Sequence, residues 1–538
     1  MINRRQLIQA GVFGLGALAI PGVAAIMMRR GFTHGVASGE PAADSVLLWT
    51  RFVGDADVKL RVEVSATPTF ETLVSGAEVV AAPERDFTAK VVVRGLAPGR
   101  WYHYRFVAPD GTRSVVGRTR TLPAGSIDKF GIALFSCSNL PFGWFNAYAH
   151  ACERGDLDLV VHVGDYLYEY AIGNYPSVGE ALAGRQIEPA NEMVTLADYR
   201  LRYGSYRLDP DLQRIHQNYP MIPQWDDHEI TNDAWVGGAE NHQPDKEGDW
   251  ETRKAVAERV YREWMPVSEE RWGSYQIGDL ATLHKLETRI SGRSAPPNLE
   301  AAVRGQQDFA KALLEFRDGI LRNPARTLLG STQEGWLNGA VQKAAKAGTR
   351  WQVIAQQIVM GEIVAPQQVV QWVPPEAPDV VKRRLAAGLV AAKMGLPFNF
   401  DSWGGFPAAR DRLLQSALEA GANPIVLSGD SHNAWANNLS VGNTPAGVEI
   451  AAQSVTSPGF ENFLRRGAPS EVAAGLRASN PGLVFSNTHQ RGYASLLLSR
   501  DEAVGQFHFL ESIRERTTRL ADTKTLRVRH GERRWLES

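Results

Sequence analysis

The chain has 538 residues, 58 basic and 59 acidic, with a formal net charge of −1. At 44% apolar and 22% charged residues it is too apolar and too evenly charged to be mainly disordered, and it lacks the basic excess of a nucleic-acid-binding surface. Its two cysteines exclude a disulfide framework and a four-cysteine zinc site. At about 100–200 residues per domain, the length suggests two or three domains, or one large enzyme core with an appendage.

Met1 to Ala25 read as a leader. Arg4 and Arg5 adjoin, a moderately apolar stretch runs from Leu7 to Val23, and Val23 and Ala25 place small residues where a signal peptidase reads them. Paired arginines before a weakly hydrophobic Gly/Ala-rich core resemble a Tat signal, which exports proteins already folded. This implies a periplasmic or secreted protein, with the Tat translocase as its partner during export; an uncleaved leader would serve as a membrane anchor. No other stretch approaches the ~18 apolar residues of a membrane span. Folding before export also lets a metal be loaded in the cytoplasm, which directs attention to metal ligands.

Residues 32–123 read as all-β. Short alternating runs recur at Ser45–Trp49, Leu60–Val64, Ala89–Val93 and Trp101–Val107, separated by turn signals such as Ala97-Pro98-Gly99 and Pro109-Asp110-Gly111. The pattern predicts a small sandwich similar to fibronectin type III, with a structural or positioning role.

From Phe130 the pattern becomes strand–helix–strand. Gly131–Phe135 is strand-like and ends in Ser136-Cys137-Ser138-Asn139. Phe145, Tyr148, Ala149 and Cys152 have helical spacing, and a second strand, Leu157–Val163, ends in Gly164-Asp165. Further buried strands are predicted at Trp351–Val359 and Pro424–Leu427, with helices at Glu251–Trp264 and Pro407–Ala420. Residues 364–400, with Pro366, Pro374, Pro375 and Pro378, read as an irregular insertion.

Four polar clusters follow predicted strands, where α/β folds place their sites. They are FSCSN with Cys137, GDYLYEY with Asp165 and Tyr168, QWDDHEITND with Asp226, Asp227, His228 and Asn232, and LSGDSH with Asp430 and His432. Taken singly, each reads as a buried thiol, a turn or a helix cap. Taken together, their order resembles the motifs of binuclear metallophosphoesterases. Cys137 stands where that superfamily has its first Asp, Asp227 where it has Asn, and Asp430 where it has the first His of its last motif. Gln356 falls near the place of an intermediate His. These substitutions, the paired-arginine leader, and the weaker segments DSWGGFPAARDRLL, TSPGF and His489 to Tyr493 resemble the PhoD-like alkaline phosphatases over nearly the whole chain. Gly404 and Phe406 depart from that family's DSWDGYP, and Glu287 from its LDTR.

The resemblance implies an α/β protein: a metallophosphoesterase-like αββα sandwich core over residues 124–538, preceded by the β-sandwich of 32–123 and by the signal and linker of 1–31. It implies Fe³⁺ and Ca²⁺ as cofactors. Donor chemistry points the same way, because a thiolate with a phenolate suits a trivalent ion and a set of Asp and Asn oxygens suits a hard cation. The assignment is Cys137, Asp165, Tyr168 and His432 to iron, with Asp165 bridging, and Asp227, Asn232 and Asp430 to calcium. Asp226 and Asp227 cannot both enter one site if the backbone there is extended. By the same resemblance His228 binds the phosphate or protonates the leaving oxygen. Arg200, Arg202 and Arg207 precede the third motif and offer cations for the phosphate, Arg202 and Arg207 foremost.

The expected activity is hydrolysis of small phosphate mono- or diesters by a metal-bound hydroxide, in a monomer. A phospholipase D-like phosphodiesterase and an exported non-catalytic binding protein are the alternatives. A Cys137–Cys152 disulfide competes with the metal reading of Cys137; Cys152 fits the buried face of its helix.

Overall fold

The computed structural model describes residues 22–377 and 379–537. The Arg4-Arg5 pair lies outside the described residues. Residues 22–31, expected as leader and linker, include a packed element. Val23–Met27 forms a short helix whose first N–H groups, on Val23 and Ala24, donate to the Glu188 carboxylate at 3.0 and 3.1 Å. Met27 is buried against Gly204, where an added Cβ would lie 2.3 Å from its sulfur. The expected cleavage point after Ala25 falls inside this helix.

The N-terminal sandwich is present. Strands Gly31–Gly39, Ser45–Val53 and Thr88–Arg94 face Leu73–Ala81, Val58–Ser65, Trp101–Val107 and Gly117–Arg120. Alternation sends Tyr102, Tyr104 and Phe106 inward, where they meet Val46, Leu48 and Val93. The unit is not a separate module, however. Gly31–Gly39 pairs in parallel with Pro220–Pro223, so the three-stranded face continues into a ten-stranded sheet of the core. Gly39 lies in this pairing opposite Met221, and a Cβ there would sit 2.0 Å from the carbonyl oxygen of Pro266, which packs over it. The boundary after residue 123 is therefore a change of pattern along the chain and not a gap in packing.

The core is an αββα sandwich. Ile132, Leu134 and Val161 of the ten-stranded sheet meet Val353, Ile425, Leu427 and Ile450 of a seven-stranded sheet in one apolar layer. Helices Asn146–Glu153, Leu196–Arg207, Pro210–Asn218 and Trp250–Trp264 cover the outside of the first sheet. Gly330–Lys346 and Pro407–Glu419 cover the second. Local chemistry sets the helix starts: a Thr195/Asp198 capping box, and Asp209 and Asp249 as caps.

Two expectations are corrected. The strand predicted over Trp351–Val359 stops at Ala355; beyond it the Gln356 and Gln357 side-chain amides bond the carbonyls of Ile358, Trp225 and Leu286. The 364–400 insertion contains a helix, Asp379–Lys393; Pro366, Pro374, Pro375 and Pro378 all precede it, where proline is tolerated.

Lys129–Phe135, Leu159–His162 and Pro220–Pro223 run parallel, as do Ala281–Lys285, Trp351–Ala355, Pro424–Ser428 and Thr444–Ala451. The four polar clusters leave the ends of these strands and converge.

Candidate metal centre

The clusters sit on sharply turned backbone. Cys137, Asp165, Asp430 and His432 all adopt left-handed φ values, 59°, 53°, 62° and 64°. Each such residue costs about 1–3 kcal/mol unless its surroundings impose it. Here they do. Cys137 N donates to the Gly164 carbonyl (3.2 Å) and Ser138 N to the Asp165 carbonyl (2.7 Å). Gly164 has φ 107° and no room for a side chain, since its Cβ would lie 2.3 Å from that of Asp226. Glu229 clamps the second and third clusters together. Its carboxylate accepts from the backbone N–H of Asp165 (3.2 Å), Tyr166 (2.6 Å) and Asp226 (2.8 Å).

The ligand atoms gather in three overlapping groups: Cys137 with Asp165 and His432, Asp165 with Asp227 and His228, and Asp226 with Asp227 and Asp430. Within each group the atoms lie within 4.8 Å of one another. Asp165 and Asp227 are the shared members. Tyr168 joins the first group, its hydroxyl 3.2 Å from Asp165 Oδ2 and 3.1 Å from His432 Nε2, and it accepts from Ser457 Oγ at 2.7 Å. His432 Nδ1 must donate to the Pro458 carbonyl (2.8 Å), which leaves Nε2 as the bare nitrogen facing the group. Burial pushes that imidazole down to about 3, so it is neutral.

Two carboxylate oxygens, Asp165 Oδ1 and Asp226 Oδ2, are buried without a hydrogen-bond partner. Burial first, and then the Asp165 charge, push both the Cys137 thiol and the Tyr168 phenol well above their usual values. Burial likewise raises the Asp165 and Asp430 carboxyls well above the ordinary range. A crowd of acids that cannot ionise alone, with oxygens left unpaired, is what a resident cation would resolve. The donor set fits a metal.

Asp226 and Asp227 both enter the third group, which an extended chain would not allow, because the backbone leaves its strand at Pro223 and turns at Asp227. Between them lies Arg289, which sequence reasoning placed in a motif without a role. Fully buried, its guanidinium pairs with Asp226, with Asp401 at 2.6 Å, with Asp430 at 3.0 Å and with Asp227 at 3.6 Å. Burial would raise the Asp227 carboxyl, but Arg289 and then His228 outweigh it and hold it below the usual range. Glu287, a departure from the family motif, does not face the centre. It accepts from the backbone N–H of Arg289, Ile290 and Ser291 and so builds the turn that presents Arg289. Asn232 lines the cavity, where its amide donates to Glu240 at 3.1 Å.

His228 opens on the same cavity. Its Nδ1 is 2.7 Å from Glu169 Oε2, and Glu169 is itself held by Asn232 N, Thr231 and Asn241. Burial works against a charge on this imidazole, but Glu169, Asp227 and Asp165 outweigh it and raise its pKa well above the usual value. Glu169 lies inside the GDYLYEY run, and the alternation of that run carried no signal of its role.

The arginines expected to bind substrate do not reach the cavity. Arg202 is fully buried, and its guanidinium donates to the carbonyls of Tyr168, Glu188, Pro189 and Asn191. Arg207 is also buried, with its guanidinium 4.3 Å from the Trp49 ring centroid. Arg200 pairs with Glu263 at 2.7 Å. All three sit on the helix Leu196–Arg207, which packs behind the sheet. Gln356 bonds its own loop and Trp403, away from the ligand groups. Cys137 and Cys152 are both free, and the competing disulfide is not formed. The cavity over the centre measures about 360 Å³; a larger cleft of about 700 Å³ lies elsewhere, between the 273–285 hairpin and the helix Gly330–Lys346.

Residues 132–507 match the PhoD-like phosphatase family, and residues 18–123 match the N-terminal domain of PhoD-like phosphatases. The chain belongs to the PhoD-like phosphatase family. It is 31% identical over 498 residues to alkaline phosphatase D of Bacillus subtilis (strain 168), a match covering 86% of this chain and 74% of the relative. A solved structure of PhoD superposes with a TM-score of 0.75 at 27% identity, covering 94% of this chain and 92% of that one. The protein is a phosphoric ester hydrolase, and the αββα core with its N-terminal sandwich is the architecture of that family.

Proposed function

We propose that the chain is an exported, metal-dependent hydrolase of phosphate mono- and diesters. The observation that carries this is the run of overlapping ligand groups joined by Asp165 and Asp227, with Asp165 Oδ1 and Asp226 Oδ2 left unpartnered. Cys137, Asp165, Tyr168 and His432 would hold iron, and Asp227, Asn232 and Asp430 would hold calcium. Such cations neutralise the anionic ester and make hydroxide available near neutral pH.

The chain's own residues do the rest. The bond from His432 to Pro458 keeps Nε2 directed at the iron ligands. Glu229 fixes the spacing of the two loops that carry Asp165 and Asp227. Glu169 occupies Nδ1 of His228 and keeps the ring protonated, which leaves Nε2 to give its proton to the departing ester oxygen. Export rests on the leader with Arg4 and Arg5. Among the described residues no helix is long and apolar enough to cross a membrane.

Metal analysis and rates on nitrophenyl phosphate and bis(nitrophenyl) phosphate, taken on one preparation of the mature protein, test this reading. Bound iron with a visible thiolate and phenolate charge-transfer band, and activity lost with the metal, are the expected results. A colourless, metal-free protein of full activity overturns the metal assignment, and a metal-loaded protein inert on both esters overturns the substrate class.

A further inference from the structure

The cavity above the metal centre has two unlike walls. One is formed by the carboxylates and histidines already described. The other is apolar, with Ile363, Phe398, Trp435 and Phe460 lining it. Phe398 is 46% exposed, and Ile363 and Phe460 are half-buried, so the row is open to the cavity at one end.

This wall is built into the fold. Phe398 N donates to the Ile363 carbonyl at 2.8 Å, which draws the two ends of the 364–400 insertion together, and both side chains line the cavity. Phe398 meets Phe460 edge to face, with centroids 5.4 Å apart, and Phe460 meets Trp435 likewise at 5.7 Å. Trp435 is buried, and its Nε1 donates to Ser431 Oγ at 2.7 Å, next to the ligand His432. A continuous aromatic row thus runs from beside His432 out to Phe398.

Size and chemistry select the occupant. A phosphate group has about the volume of two or three water molecules, each ~30 Å³, whereas the cavity measures about 360 Å³. The excess leaves room for the organic part of an ester. The four side chains of this wall offer a sugar or polyol no free hydrogen-bonding group, since three have none and the Trp435 indole N–H is engaged by Ser431 Oγ.

The geometry points to the Ile363–Phe398–Phe460–Trp435 row as a subsite for the apolar organic group of the substrate, aryl or alkyl, attached to the phosphate bound at the centre. The assignment rests on the phosphoesterase reading and narrows its substrate class.

Phenylphosphonate and methylphosphonate share a non-hydrolysable headgroup and differ only in what would touch the wall. Their inhibition constants are to be measured against nitrophenyl phosphate with the metal-loaded enzyme. Phenylphosphonate is expected to bind about tenfold more tightly, the value for withdrawing ~60 Å² of ring from water. In Phe398→Ala and in Phe460→Ala that ratio falls by at least about threefold, with Phe398→Ser, at an exposed position, as the check against a folding defect. A ratio near one in the unaltered protein, or a ratio unmoved by both alanine variants, overturns the subsite while leaving the phosphoesterase reading intact. Failure of inorganic phosphate and both phosphonates to inhibit, together with no turnover of nitrophenyl phosphate, overturns that reading and the subsite with it.

Discussion

The two halves of the centre solve the same electrostatic problem differently. Around Cys137, Asp165, Tyr168 and His432 no cationic side chain pairs with the donors among the described residues, and burial drives thiol, phenol and carboxyl toward their neutral forms. Around Asp226, Asp227, Asp401 and Asp430 the chain supplies its own cation, the buried Arg289. In the first half His228 is the nearest cation and burial still prevails at Asp165, whereas in the second Arg289 bonds the carboxylates directly. The contrast is one of direct partners: Arg289 holds Asp227 below the usual carboxylate range, while burial still raises Asp226 and Asp430 beside it, as it raises Asp165.

The comparison breaks most completely if the first half works without metal. Asp165→Asn removes the shared carboxylate and is expected to abolish both iron binding and turnover, read by metal analysis and by the loss of the charge-transfer band. Retained iron would dissolve the distinction between the halves. His228→Asn tests the proton donor that faces both. It should lower kcat by about 10²–10⁴, most for esters with poor leaving groups, while both metals stay bound; equal loss for good and poor leaving groups argues against proton donation.

Arg289→Gln sharpens the second half. Leaving its buried carboxylates without their cation should cost about 3–5 kcal/mol of stability, measured by denaturant unfolding, and added calcium should restore part of it. Unchanged stability would mean that the carboxylates were never charged together. The smallest effect is expected for Glu169→Gln, about 10–100-fold in activity, as for other residues that orient a catalytic group. The sign of its pH dependence is fixed. Glu169 helps to raise the His228 pKa, and on the proposed role protonated His228 is the active form, so activity should fall as pH rises through that pKa. Removing Glu169 should move this alkaline limb to lower pH. A limb that stays in place would exclude Glu169 from that role.

Much of the centre was legible from short motifs. Cys137, Asp165, Tyr168, Asp227, Asp430 and His432 lie in motifs that follow buried apolar runs, and the order of those motifs together with their donor types suggested metal. The substrate arginines were misread for a specific reason. Arg202 and Arg207 lie near the third motif in sequence, but their helix turns them into the space behind the sheet, where backbone carbonyls and Trp49 receive them. Arg289 and Glu169 were missed for the opposite reason. Their partners are distant in sequence, 63 residues away for the Arg289–Asp226 pair and 59 for the His228–Glu169 pair, and no local periodicity records such pairs. Asp226 was held back by an assumption of extended backbone that the turn at Asp227 removes.

By itself the sequence determined most element types outside the 364–400 insertion, the strand-end positions of the candidate ligands and the family, because periodicity, capping residues and motif spacing are local. Only the tertiary structure decided three other matters. The N-terminal sandwich shares a sheet with the core through the pairing of Ser38 with Pro220 and Gly39 with Met221, a register that leaves no local trace. The ligand loops are strained and clamped by Glu229. The acids divide into a half with no arginine and a half bonded to Arg289, because burial and the placement of a single arginine shift each group, and both are properties of the packed molecule.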